Sequence, residues 1–374
     1  MERVIKATKP EMASYELYIE EIKSIWDNGS MTNNGPKVRQ FQNELKMYMN
    51  CQNVDLFVNG HSALLIALTA LELPIGGEVL TSPFTFISTT NAIIQNQLTP
   101  VFCDIDDTYN IDIDSIRRNI TSKTCAIVTP HIFGIPCHVN EIEKIAREYN
   151  LKVVYDGAQA LGTKIDGKNI AVFGDATMFS FHAIKVFNAI EGGALVYRDT
   201  ALKEKLELYR NFGISYGSTN DVVVGGINAK MTEFSAAMGL VNMPKLEQVI
   251  DRRKELAQYY QKIFDDIEGL RIYPYDNSIE YNYAYFPVII DVKKTGKSRD
   301  QIWKELKENG IETRKLYDTL TCDFSYYKEK PYKRDVKYAE EMTKKCLDFP
   351  MYSSLTEEDI DHIGGIIRKI LSNI

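Results

Sequence analysis

The sequence predicts an α/β protein: a large domain on a mostly parallel sheet, followed by a small α+β domain. Three observations predict it. Short strands that are apolar throughout alternate with amphipathic helices, the pattern of a parallel sheet covered on both faces. One of them, Leu151 to Tyr155, runs into Asp156 and then into small residues, and an open α/β sheet gathers its chemistry at strand carboxyl ends. From about Asp251 the character changes to a long polar helix and a new set of strands, which divides the chain into 1–250 and 251–374.

Composition bounds the function. A chain of 374 residues with 44% hydrophobic content can bury the core of two domains. Its net charge of -7, with no basic run, argues against a nucleic-acid surface. No apolar stretch is long enough for a membrane span, and residues 1–10 lack the apolar core of a signal peptide, so a cytoplasmic protein is expected. The six cysteines are scattered without a C-x-x-C pair and are read as reduced core residues, with no metal site.

In chain order, Tyr18, Ile19, Ile22, Ile25 and Trp26 have helical spacing, and Asn28-Gly29 ends that helix. A turn-rich loop over 31–36 follows, then a helix with Val38, Phe41, Leu45 and Met49 facing inwards. The strand Val54 to Val58 runs into Asn59-Gly60-His61-Ser62 and a helix. A glycine turn at a helix N-terminus exposes backbone N–H groups that bind a phosphate, although Ser62 could equally be a helix cap. Residues 78–93 read strand, proline turn, helix, with Phe84 and Phe86 as competing aromatics that could also be core. Strands over 99–105, 124–130 and 151–155 alternate with helices over 113–118 and 139–149. His131 is assigned to structure at a strand end.

Strands over 176–181 and 194–197 flank a loop that carries Lys185, with the turn chemistry of Gly192-Gly193 opening the second. A lysine beside buried strands loses solvent, which favours the free amine that condenses with aldehydes; the alternative is an exposed turn residue. Asp156 precedes it by 29 residues, room for one strand to bring the two together. A carboxylate there can pair with a protonated pyridine nitrogen, or could simply cap residues 158–160. A helix over 202–210 and a glycine-rich loop over 211–217 follow. The second domain is read as helices over 254–267, 298–309 and 356–370, with strands over 281–290 and 311–316.

The loop Ser180-Phe181-His182-Ala183-Ile184-Lys185 is similar to the S-F-H-A-T-K signature of the DegT/DnrJ/EryC1/StrS family of sugar-nucleotide aminotransferases, with Ile184 in place of threonine. The resemblance covers essentially the whole chain, and the tail to Gly193 looks most like the branch that aminates C4 of a nucleotide-linked keto-sugar. It implies the aspartate aminotransferase fold (fold type I), with pyridoxal phosphate alternating with pyridoxamine phosphate. Lys185 would carry the aldehyde and shuttle protons, and Asp156 would hold the ring nitrogen cationic. By the same match Gln159 binds the phenolic oxygen, Phe86 lies on the ring, and Ser180 with the amides of Gly60, His61 and Ser62 takes the phosphate. His61 stands where the family usually has threonine.

Thr32, His182 and Lys230 are implied substrate neighbours, and Asn228 is implied to reach the phosphate of a neighbouring subunit, making a homodimer with shared sites. The implied substrates are L-glutamate and a nucleotide-linked 4-keto-6-deoxyhexose, dTDP-4-keto-6-deoxy-D-glucose first, for a bacterial surface polysaccharide such as lipopolysaccharide O-antigen. A 3-keto sugar, or a UDP- or GDP-linked one, is the alternative. A non-catalytic regulator on this fold would not keep Asp156, Gln159, Ser180, Lys185 and Asn228 together. A nicotinamide enzyme is excluded because no G-x-G-x-x-G follows the first strand.

Overall fold

The computed structural model describes residues 4–215 and 221–372. Its apolar strands pair into one seven-stranded sheet, because a strand with no polar side has to be covered on both faces. They are β1 (Val54–Phe57), β2 (Glu78–Thr81), β3 (Thr99–Phe102), β4 (Thr124–Pro130), β5 (Lys152–Asp156), β6 (Ala176–Ser180) and β7 (Gly193–Tyr197). Their order is β1-β7-β6-β5-β4-β2-β3, and only β7 runs against the rest. The register puts Asp156 beside Pro130, so the ends of β4 and β5 meet, with Met178 of β6 on the other side of Asp156.

Helices α1 (Tyr15–Asn28) and α2 (Pro36–Met49) begin the chain, and Gly29 closes α1 in the left-handed conformation at φ 65°. Helices α3 (Gly60–Ala70) and α4 (Ile87–Gln95) pack on one face of the sheet, with Leu64, Ile93, Val128 and Met178 in their cluster. On the other face Phe41 of α2 joins α5 (Ile113–Asn119) and α6 (Val139–Tyr149) around Val153 and Tyr155. Helices α7 (Leu202–Tyr209), α8 (Glu233–Asn242) and α9 (Leu246–Phe264) complete this part.

Gly192-Gly193 is needed for a reason other than turn chemistry. Neither glycine has a positive φ; the left-handed residue of that loop is Ile190 at φ 65°. A Cβ on Gly193 would lie 2.5 Å from the Asn59 carbonyl carbon and 2.6 Å from the Gly60 nitrogen, so β7 can touch the start of α3 only without a side chain.

The second core is an antiparallel sheet of β8 (Leu270–Ile272), β9 (Phe286–Ile290) and β10 (Cys346–Phe349) against helices Arg299–Glu308 and Glu357–Ser372. Residues 311–316 do not form the expected strand: Ile311 bridges Ile5 and Arg314 bridges Asp348, each singly. The other expected strand shortens to β9, preceded by Tyr283 at φ 48°. The polar helix begins at Leu246 rather than at 254, and it serves both cores. Leu246 and Ile250 lie in the first, and Leu256, Ala257, Tyr260 and Phe264 in the second. Residue 251 thus falls inside a shared helix, and Ile5 packs with the second core.

Of the glycine-rich loop, 216 and 217 lie outside the described residues; Ile214–Ser215 pairs with Asp221–Val222. All six cysteines are free, and four are buried. Among the described residues no cluster could hold a metal ion, and no helix is long and apolar enough to cross a membrane.

Candidate active site

Asp156 ends β5 and is 5% exposed. Its Oδ2 accepts a 2.7 Å hydrogen bond from Thr89 Oγ1 on α4, and its Oδ1 accepts one of 3.1 Å from the Ala158 N–H. No helix follows at 158–160, so the second bond closes a turn rather than capping a helix. Burial pushes this carboxyl above its ordinary pKa; the two hydrogen bonds, then Lys185 and His61, act against that shift.

A cavity of about 470 Å³ opens over Asp156. It gathers Gly60, His61, Phe86, Gln159, Ser180, His182 and Lys185 with Asp156, eight residues singled out in the sequence. Lys185 is half-buried on its loop, with its N–H donating to the His182 carbonyl at 2.9 Å. The dehydration expected of it is therefore incomplete until something fills the cavity. His182 lies 3.4 Å from Glu191 through Nε2. Phe84 and Phe86 separate cleanly: Phe84 is 0% exposed, packed on Phe133 and Tyr317, whereas Phe86 is 66% exposed at the cavity wall.

Helix α3 is capped by Asn59, whose Oδ1 accepts from the Ser62 N–H at 2.8 Å. Ser62 is thus neither the cap nor a free donor, and the available amides are those of Gly60 and His61. A Cβ on Gly60 would lie 2.9 Å from Met178 Sδ and 3.0 Å from Ser180 Cβ, so the bare backbone is what brings the first turn of α3 against Ser180. Gln159 is engaged at both ends: Oε1 accepts from the Phe133 N–H at 2.6 Å and Nε2 donates to Tyr317 Oη at 2.5 Å. One amide hydrogen remains for a ligand.

Thr32, Asn228 and Lys230 do not line this cavity. Thr32 and Asn228 are exposed, and Lys230 sits in a second cavity with Arg39 and Arg210, its Nζ donating to Asn211 Oδ1 at 2.6 Å. Burial, then the charge of Arg210, lowers the Lys230 pKa.

Several lining residues carried no local signal in the sequence. Arg314 and Tyr317 come from the non-strand segment after Ile311; Arg314 Nε and Nη2 donate to Asp348 Oδ2 at 2.9 and 2.6 Å, and its guanidinium lies over Tyr285 at 4.9 Å. Thr89, which holds Asp156, is likewise visible only in three dimensions.

His131, assigned to structure in the sequence, is buried at the cavity wall, and its Nε2 has no hydrogen-bond partner among the described residues. Its ring stacks on Tyr155 at 4.6 Å, Nδ1 accepts from the Cys137 N–H at 3.0 Å, and burial pushes its pKa down to about 3. The unfolded chain, with an ordinary histidine near pH 6.5, binds the extra proton between these values. Stability is therefore complete above about pH 6.5 and is lost as pH falls towards about 3, by about 1.4 kcal/mol per unit. Urea unfolding from about pH 7 to about pH 4 is expected to show this slope. In His131→Asn the slope is reduced by about one proton's worth; an unchanged slope would refute the assignment.

Pyridoxal phosphate fits these groups: a buried acid for the ring nitrogen, an aromatic wall at Phe86, free amides with a serine hydroxyl for the phosphate, and an amine at Lys185. The model of a family described as the DegT/DnrJ/EryC1/StrS aminotransferase family matches residues 14–368. A dTDP-4-amino-4,6-dideoxy-D-glucose transaminase of Shigella dysenteriae is 36% identical over 371 residues, 99% of this chain and 100% of that protein. The spore coat polysaccharide biosynthesis protein SpsC of Bacillus subtilis is 32% identical over 367 residues, 94% of each. Among solved structures, DesI in the presence of its TDP-sugar product superimposes with a TM-score of 0.93 at 31% identity, covering 100% of this chain and 94% of that one.

Proposed function

The chain belongs to the DegT/DnrJ/EryC1/StrS aminotransferase family, and from that premise we propose that it moves an amino group from L-glutamate to C4 of dTDP-4-keto-6-deoxy-D-glucose. It is a pyridoxal-phosphate-dependent aminotransferase acting on a nucleotide sugar. The observation that carries the reading is the convergence of Asp156, Lys185 and the first turn of α3 on one cavity. The sugar is supported by the Shigella transaminase and by DesI with its TDP-sugar product. A surface polysaccharide as destination is supported by the name of the Bacillus relative. Arg314 puts a cation on the cavity wall, which suits a donor bearing a carboxylate.

When bound, the cofactor supplies an aldehyde and a pyridine ring that withdraws electrons. Asp156 holds the proton on the ring nitrogen, its own orientation set by Thr89 and Ala158. Lys185 Nζ is the amine that would hold the cofactor's aldehyde carbon. The same Nζ, as a free amine, would take the donor's α-proton as base and return it as acid. Phe86 confines the ring and excludes water from one face. His182, which lines the cavity beside Glu191, would meet the sugar.

The second half of the assembly is read as a second copy of the chain. Tyr15, Trp26 and Met31 are exposed on α1 and the loop after it, and Phe212, Val222 and Ile227 are exposed near Asn228. Exposed apolar side chains on these two segments support the reading of an interface there. With the partner's cavity completed by Asn228, Asn228→Ala is expected to weaken cofactor retention about tenfold while leaving the fold intact. Dialysis followed by absorbance measures it, and unchanged retention would exclude a shared site.

The test of the reaction is mass spectrometry of products formed from glutamate with dTDP-, UDP- and GDP-linked 3- and 4-keto-6-deoxyhexoses. Amination of the dTDP-linked 4-keto sugar is expected to dominate. A preference for another member would move the assignment to that sugar, and no amination by a yellow protein would end it.

A further inference from the structure

The wall of the cavity nearest α3 holds an imidazole that the reaction above leaves without a task. His61 stands on the first turn of α3, and Ser88 on the first turn of α4; the two lie 2.9 Å apart, Nδ1 to Oγ. This contact joins the starts of two helices, and both residues line the cavity. Phe86, the residue before α4, places no side-chain acceptor on that helix's first amides. Two positive helix ends therefore face the same space, and Ser180 packs against Gly60 at the first of them. Nε2 of His61 has no hydrogen-bond partner among the described residues.

We propose that the His61 imidazole, held by Ser88, is a side-chain ligand of the cofactor phosphate, beside the amides of Gly60 and His61 and the hydroxyl of Ser180. The proposal rests on the cofactor reading. With Ser88 Oγ donating to Nδ1, the neutral ring carries its hydrogen on Nε2, and the protonated ring also presents one there. An adjacent phosphate dianion selects these states over the tautomer that would turn a lone pair towards it. Asp156 lines the same cavity, so a role through the pyridine end is the competing explanation.

The two ends are separated by measuring affinity of the apoprotein for pyridoxal phosphate and for pyridoxal, which lacks the phosphate, by absorbance titration. Inorganic phosphate serves as competitor. In His61→Ala, affinity for pyridoxal phosphate is expected to fall about tenfold or more, the scale of a lost charge-assisted hydrogen bond. Pyridoxal binding stays at the wild-type level, and inorganic phosphate competes less well. His61→Thr restores part of the loss, because a hydroxyl can donate from the same turn, and Ser88→Ala shows a smaller loss of the same kind. Equal loss for both ligands, or no loss for either, overturns the proposal. Failure of the wild-type apoprotein to bind either aldehyde would overturn the cofactor reading beneath it.

Discussion

Lys185→Ala is expected to abolish amino transfer, by about 10⁴-fold or more, and to remove the visible absorbance of the cofactor-loaded protein. Two functions are lost in one atom: the anchor for the aldehyde and the base that moves the α-proton. The fold should survive, because the structural contact of this residue is its backbone N–H on the His182 carbonyl, which alanine keeps. The flanking Phe181, Val186 and Phe187 stay buried in the core regardless. Absorbance, turnover and thermal melting of the variant check the three statements. A variant with wild-type colour and turnover would remove Lys185 from the chemistry.

Asp156→Asn is expected to lower kcat/KM by roughly 10²–10³-fold, the loss typical of removing one preorganised electrostatic partner. The substitution keeps the size of the side chain and an acceptor for one of its two bonds, from Thr89 or Ala158. Its effect on stability should have the opposite sign. Burial raises the carboxyl's folded pKa above its unfolded value, so the folded form gains stability by protonation. That stability falls as pH rises from the unfolded pKa through the folded one, and above that window the buried charge is a net cost. At neutral pH the asparagine apoprotein should therefore unfold at the same or a higher urea concentration than wild type. Lower stability together with undiminished kcat/KM would mean that the carboxylate serves the fold and not the reaction.

The parts of the molecule that could be read from sequence are those whose cause is local. A strand buried on both faces announces itself as a short apolar run, and β4 to β7 each carry one; in β1 the run is interrupted by Asp55, buried against Arg210 at 3.1 Å. Asp156 and Lys185 were legible because each follows such a run. What failed depended on distant partners. β10 is absent from the sequence reading: it is four residues long, and its Asp348 is buried only as the partner of Arg314, 34 residues earlier. Residues 311–316 make only single bridges, to Ile5 and to Asp348, because no continuous neighbour runs beside them. α9 begins eight residues before the expected 254, because the 3-10 turn that holds Pro244 leads directly into it. At the site, Thr89 reaches Asp156 across 67 residues and Tyr317 reaches Gln159 across 158, pairings that only the strand order creates.

Borohydride reduction of the purified, pyridoxal-phosphate-loaded protein, followed by proteolysis and mass spectrometry, asks where the cofactor is held. The expected result is one phosphopyridoxyl group on the peptide that contains Lys185, at close to one per chain. A label on another lysine, or a yellow protein whose Lys185 peptide stays unmodified, would contradict the site described for this chain.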